Sequence, residues 1–331
     1  MNVDLFSPFD PINGIPVTIV FGTFDYRNII NKWIDHALST CDHWRIICLD
    51  KKLRNWLNKR GHGTCAVYLY DLFPNMTPHS LKGLDRLSKL EIIFSLRKKL
   101  FHALAKSGRD FIHSDADAFW LQDPRPWLIQ HTEFDLLASQ GTFTPRRHWN
   151  HHRFVLCAGF FFCRTNVRTQ NYFRRVKAET TSLNYYDQEA INLVILNSSK
   201  ERWQIHRPTI YYGDWKEKWQ KMGILMSTVL IWGERFAPSL MRRIKRRCRY
   251  KRFGVVPRKE AELDHIGWCS WLDNKYIYTS TKIIKTKLSN GLTVGIIPAH
   301  LVTRFDYCWS NPPFVKHIYH NKGSYIDNSK D

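Results

Sequence analysis

Long apolar runs are missing from this 331-residue sequence: the longest, Gly223 to Gly233, falls well short of the ~20 residues that a bilayer-spanning helix requires. A membrane-spanning chain is therefore not expected. Cysteine is sparse and scattered, with eight residues at 41, 48, 65, 157, 163, 248, 269 and 308, no CxxC pair and no finger-like Cys/His spacing. That argues against a disulfide-stapled module and a zinc finger, and the cysteines read as reduced, mostly buried thiols. Sixteen glycines and 14 prolines are too few for collagen-like or low-complexity chains. The first stretch, MNVDLFSPFDPING, has no lysine or arginine and no apolar core of a signal peptide, so the expected location is cytoplasmic. Acidic residues are the last shortage: 29 Asp and Glu face 50 Lys and Arg, for a formal charge of +21. Such an excess attracts a polyanion, whether nucleic acid, anionic lipid or a phosphorylated substrate. About half of it lies in residues 241–259 (MRRIKRRCRYKRFGVVPRK), which hold ten basic and no acidic residues.

What remains is an ordinary globular composition, 44% apolar and 14% aromatic, long enough to bury a full core. Val17 to Phe21 is a β-branched apolar run, followed by a helical pattern with Ile29, Ile30, Trp33, Ile34, Ala37 and Leu38 on one face. Strand signals recur at Arg45 to Leu49 and Cys65 to Tyr70, with a short helical pattern between them. This βαβαβ rhythm predicts an α/β fold with parallel strands and right-handed crossovers. A long amphipathic helix is predicted over Leu81 to Ala105, with Leu84, Leu87, Ile92, Leu96 and Leu100 inward and Gly108 at its end. Strands follow at Asp110 to His113, Phe134 to Ala138 and Val155 to Cys163, helices at Asn166 to Thr180 and Asp187 to Leu196, and a late strand at Thr293 to Ile297. Residues 214–275 read as helices.

The most informative residues follow the strand at 110–113: Ser114-Asp115-Ala116-Asp117-Ala118-Phe119-Trp120. Ligands of open α/β sheets gather beyond the carboxyl ends of strands, where these aspartates fall. Two carboxylates separated by one residue at a bend can both approach one divalent cation, and oxygen ligands suit Mg²⁺ or Mn²⁺. The same pattern also describes two solvated turn aspartates.

The whole block from Phe111 to Pro124 resembles the DxD block of the nucleotide-diphospho-sugar transferases, in the group that includes glycosyltransferase family 77. The resemblance runs from Val17, with Asn31 and Trp33 as an Asn-Trp pair and Asp50 ending the second strand, to about Leu196, and returns from Thr293 onward. It implies a GT-A fold, a Rossmann-like mixed sheet flanked by helices, as one catalytic domain over 1–331. Residues 17–140 would be the nucleotide-binding half, and 141–331 the acceptor-binding half with a basic insertion near 214–275. It also implies metal-dependent transfer, with retention of configuration, from a nucleotide-diphosphate sugar, UDP-linked by preference, to a glycan, lipid-linked or protein-linked acceptor.

The implied metal ligands are Asp115, Asp117 and His320, for Mn²⁺ or Mg²⁺; His113, His317 and the cluster at 148–152 are rival histidines without a match. His320-Asn321 with Lys330 resembles the family's terminal block. The implied nucleotide-sugar contacts are Lys89, Asp115, Asp50 and Gly159, and the implied catalytic residues are Asp187 and Gln188, at the start of Asp187-Gln188-Glu189-Ala190-Ile191-Asn192. Cys157-Ala158-Gly159 matches the family's small-residue turn but lacks the Asn that some members carry before the glycine. The basic segment at 241–259 has no counterpart; with the apolar residues that flank it, it reads as a segment lying on an anionic membrane surface. The other readings are a nucleic-acid-binding protein, disfavoured for want of a recognition motif, and a metal-dependent phosphodiesterase.

Overall fold

A computed structural model describes residues 4–79, 83–141, 148, 155–179, 187–198, 266–270, 275–278, 283–298, 300–303 and 313–317. Its frame is the predicted alternation. Strand β1 (Val17–Gly22) leads to helix α1 (Arg27–Thr40), β2 (Trp44–Cys48) to α2 (Lys51–Lys59), and β3 (Ala66–Tyr68) to a short helix α3 (Leu69–Leu72). The strand expected to reach Tyr70 thus stops at Tyr68, where the chain turns into that helix. Every residue of β1 is buried, as in a parallel strand covered on both faces. Helix α1 buries Ile29, Ile30, Trp33, Ile34 and Ala37 as predicted, whereas Leu38, in its last turn, is 62% exposed.

Helix α4 (Arg86–Ser107) begins later than predicted, because Asp85 caps it: the Ser88 amide donates to Asp85 Oδ1 at 3.0 Å. Leu84 therefore lies outside the helix, while Leu96 and Leu100 are buried beside Phe101, Leu104 and Ala105. Gly108 ends it with φ of +80°, the left-handed conformation that glycine accepts without strain. Then come β4 (Phe111–Ser114), β5 (Ala118–Trp120), α5 (Arg125–Gln130), β6 (Leu136–Gln140) and β7 (Leu156–Cys163). Helices α6 (Val167–Ala178) and α7 (Asp187–Ser198) follow as expected; Asn166 caps the former through a reciprocal bond with Thr169.

Strands β8 (Ile266–Ser270) and β9 (Lys275–Tyr278) pair antiparallel, where helices were expected. The alternation of Ile266 with Trp268, and of Tyr276 with Tyr278, is a period of two, which serves a strand and not a helix. Strands β10 (Ile284–Lys287), β11 (Thr293–Ile296), β12 (Val302–Thr303) and β13 (Val315–His317) complete the described set. The main sheet has eight strands in the order β10-β11-β6-β7-β4-β1-β2-β3, and β12-β13-β5 form a second, smaller sheet.

Two features of this topology build the site. Strand β7 runs antiparallel to β4, with Phe160 opposite Ser114, so its beginning lies beside the carboxyl end of β4. Strand β13 runs antiparallel to β5, with His317 opposite Ala118, so a residue from near the end of the chain arrives next to Asp117.

Candidate active site

The DxD segment is a tight turn between β4 and β5: the Ala118 amide donates to the Asp115 carbonyl at 3.0 Å, which sets the Asp115 and Asp117 carboxylates side by side. Two indoles brace it. Trp33 Nε1 and Trp120 Nε1 donate to the Ser114 hydroxyl at 3.3 and 3.2 Å, and both rings are wholly buried. Trp33 of the expected Asn-Trp pair is therefore a strut under the turn, whereas Asn31 bonds Asp35 within its own helix.

Asp115, Asp117 and His317 each present a ligand atom within 4.8 Å of the others. His317 Nε2 lies 3.0 Å from Asp117 Oδ1 and 3.7 Å from Asp115 Oδ2. The aspartate side chains are 30% and 26% exposed and the imidazole 1%, so the cluster opens toward solvent from the carboxylate side. Gly159 makes room for it. A Cβ at that position would stand 2.3 Å from Asp115 Oδ2 and 2.4 Å from His317 Cε1, so both side chains would have to shift. The Gly159 carbonyl also accepts from the Asp115 amide at 2.6 Å, tying the β7 turn to the DxD turn. His320, Asn321 and Lys330 lie outside the described residues; among these, His317 is the imidazole within reach of both aspartates, and His113 Nε2 lies 3.3 Å from Asp115 Oδ1.

Asp187 and Gln188 begin α7 and face the same turn from another side. Asn192 fixes the helix there: its amide oxygen accepts from Leu156 N at 2.8 Å and its nitrogen donates to Leu156 O at 2.9 Å, taking the place of a neighbouring strand. The Ala158 amide donates to Gln188 Oε1 at 3.4 Å.

Between Asp187 and the DxD turn stands Arg97, a residue the sequence reading did not single out. It is 6% exposed, and its guanidinium lies under the rings of Phe21, Phe94 and Phe101 at 5.6–5.9 Å. Its Nε is 2.9 Å from Asp187 Oδ2, and its Nη2 is 3.1 Å from Asp115 Oδ1 and donates to the Ala158 carbonyl at 3.2 Å and to His113 Nε2. Burial works against the Arg97 charge, but the carboxylates of Asp187 and Asp115 hold its pKa above the usual arginine value. Of the two acids that share it, burial would raise Asp115 but Arg97, with His113 and His317, keeps it well below the usual carboxylate range. Asp187 carries the cost: burial, against the pull of Arg97 and helped by the Asp115 charge, pushes it up to about 6. Burial, then Arg97, lowers His113 to about 4, so it is neutral at pH 7.

The remaining expected residues flank this centre. Asp50 accepts from Leu53 N and Phe24 N, both at 2.8 Å, as the cap of α2 that also holds the β1–α1 turn. Lys89 Nζ lies 3.9 Å from Asp25 Oδ2 in that same turn. Arg97, two helical turns further on, is thus the basic residue of α4 that meets the DxD carboxylate. Its signal in the sequence was position: it is four residues from both Ile93 and Phe101, on the inward stripe of α4, but the adjoining Lys98 and Lys99 make it read as part of a solvated face.

A family model described as nucleotide-diphospho-sugar transferase matches residues 39–326. No curated protein sequence matches. Among solved structures, the chain is similar to a galactosyltransferase, LgtC, in complex with donor and acceptor sugar analogues (16% identity over 53% of this chain and 69% of that one, TM-score 0.36). It is also similar to the glycosyltransferase GlyE of Streptococcus pneumoniae TIGR4 (12%, 55% and 43%, TM-score 0.35) and to the bifunctional glycosyltransferase WbbM (11%, 56% and 38%, TM-score 0.39). The chain thus spans less than half of the latter two.

Proposed function

Since this chain belongs to the nucleotide-diphospho-sugar transferase family, a family of glycosyltransferases, we propose that it moves a sugar from a UDP-linked donor to a glycan, lipid-linked or protein-linked acceptor, in a metal-dependent reaction with retention of configuration. The observation that carries this reading is the convergence of Asp115, Asp117 and His317 at the carboxyl end of β4, opposite Asp187 and Gln188.

The donor set fits a hard divalent cation. Two carboxylates and an imidazole are all acceptors toward one point, a proton on Nε2 would satisfy only one contact among them, and the missing side chain at Gly159 keeps the space clear. Asp115, Asp117 and His317 would hold Mn²⁺ or Mg²⁺, with His320 tested beside His317 as the alternative third ligand. Such an ion, when bound, supplies positive charge to the departing diphosphate.

The chain's own residues do the rest. Arg97 keeps Asp115 ionised and ready as a ligand while fixing the orientation of Asp187. In this reading Asp187 and Gln188 line the sugar and stabilise its anomeric centre, Lys89 reaches the diphosphate, and Asp50 and Gly159 shape the nucleotide side. Residues 17–140 serve as the nucleotide-binding half and 141–331 as the acceptor half. No helix among the described residues is long and apolar enough to cross a membrane. The basic segment 241–259, outside the described residues, would bring the enzyme to an anionic, cytoplasmic membrane face.

A panel of nucleotide sugars tests the reading, scored by Mn²⁺-dependent thermal stabilisation and slow donor hydrolysis. One UDP-sugar should stand out, and proton NMR of the first product should show the donor's anomeric configuration. An inverted product would refute retention, and no response to any donor would refute the assignment. Sedimentation with anionic vesicles should carry the parent chain down and spare a variant with Arg242, Arg243, Lys245, Arg246 and Arg247 replaced by Gln. A parent that stays in the supernatant refutes the membrane placement.

A further inference from the structure

His317 approaches the DxD pair through Nε2, which leaves Nδ1 to be accounted for. Among the described contacts of that nitrogen is the Cys157 sulfur, 3.7 Å away and 1% exposed. The sulfur is itself fixed: the Gly159 amide donates to it at 3.3 Å, and the backbone on either side is held by Asn192 at Leu156 and Gln188 at Ala158. The opposite constraint on the ring comes from Gly159, whose missing Cβ would lie 2.4 Å from His317 Cε1. The start of β7 thus cradles the imidazole, while the pairing of His317 with Ala118 holds its backbone.

We propose that Cys157 is the positioning residue for His317, gripping the ring by Nδ1 so that Nε2 faces Asp115 and Asp117. A thiol is suited to this because it both donates and accepts weakly. With the proton on Nε2, facing Asp117, the Cys157 S–H donates to Nδ1. When Nε2 becomes a ligand, the imidazole remains neutral, the proton sits on Nδ1, and the sulfur accepts it. A histidine ligand commonly donates its other N–H to an oxygen, and loss of that partner weakens metal binding about 10–100-fold. Here the partner is sulfur.

The inference rests on His317 as a cation ligand, and the test separates the two. Mn²⁺ affinity of the full chain is measured by calorimetry, and the His317 imidazole nitrogens are followed by ¹⁵N NMR, metal-free and with Mg²⁺, using His317→Gln to assign the signals. In Cys157→Ala, Mn²⁺ should bind about tenfold more weakly and the Nδ1 resonance should move, with circular dichroism unchanged. Cys157→Ser, which keeps a donor and acceptor on the same Cβ, should fall between Ala and the parent. An Nδ1 resonance and an Mn²⁺ affinity both unchanged in Cys157→Ala would overturn the proposal. An Nδ1 resonance that moves in Cys157→Ala while the parent chain binds no Mn²⁺ would uphold the Cys157–His317 grip and overturn the cation reading instead.

Discussion

Replacing Arg97 with Met removes one cation from between two carboxylates while keeping the stem that packs under Phe21, Phe94 and Phe101. Taking one partner from a buried ion pair costs about 3–5 kcal/mol when the remaining charge is stranded. Here the loss should be smaller, because Asp187 already sits at about 6. Neutralising it at pH 7 costs only one pKa unit, about 1.4 kcal/mol, and less once Arg97 no longer opposes protonation. Asp115, 30% exposed, keeps water and two histidines as partners. A net loss of about 2–3 kcal/mol is expected, which in a domain of this size lowers Tm by about 3–4 °C. The loss should depend on pH. A carboxyl whose folded pKa is raised stabilises the fold at low pH and loses that contribution as pH rises through the folded value. In Arg97→Met the Asp187 pKa rises further, so the variant's deficit should be largest at pH 8 and shrink toward pH 5.5. Donor hydrolysis should fall on the order of a hundredfold or more, the scale of losing a preorganised charge at a reacting centre. Arg97→Lys, with one point charge in place of a fork, should recover part of the stability but little activity. Thermal scans at pH 5.5, 7 and 8 with parallel hydrolysis assays measure this, and a variant within 1 °C of the parent at pH 8 would refute the reasoning.

Gly159→Ala should leave the fold intact but weaken Mn²⁺-dependent nucleotide binding about 10–100-fold, the scale of a 1–3 kcal/mol overpacking penalty, because its Cβ displaces Asp115 and His317; unchanged affinity would contradict the cradle. His113, lowered to about 4, stabilises the fold above its ordinary pKa and loses that contribution as pH falls from about 6.5 toward 4. The stability difference between the parent and His113→Gln, from urea unfolding, should therefore shrink across that window by about 3 kcal/mol. Asp187 should show the opposite sign, so that the parent gains on Asp187→Asn as pH falls from about 6 to 4.

The main frame was legible because its strands and helices are long enough to carry a period. The buried run of β1, the inward stripe of α1 and the paired boundaries of α6 and α7 lie within a residue or two of expectation. Strands β5, β12 and β13 were not foreseen. Each has two or three residues, too few for an alternation, and their pairing joins Trp120 to Val315 across more than half of the chain. That long-range pairing is also what brings His317 to the DxD turn, so the histidine was visible in the sequence only as one of several rivals. Asp187 and Gln188 reach the DxD turn only through intermediaries, Asp187 through Arg97 and Gln188 through the Ala158 amide, and Arg97 and Cys157 gain their roles only through tertiary packing: a charge on an inward helical stripe and a thiol at the mouth of a strand.

The measurement that tests the central claim most directly is hydrolysis of the selected UDP-sugar by the parent chain and by Asp117→Ala, each with Mn²⁺ and with EDTA. Hydrolysis should require Mn²⁺ in the parent and fall on the order of a thousandfold in the variant, whose Tm without metal should match the parent's. Hydrolysis that survives both EDTA and the loss of Asp117 would contradict the account.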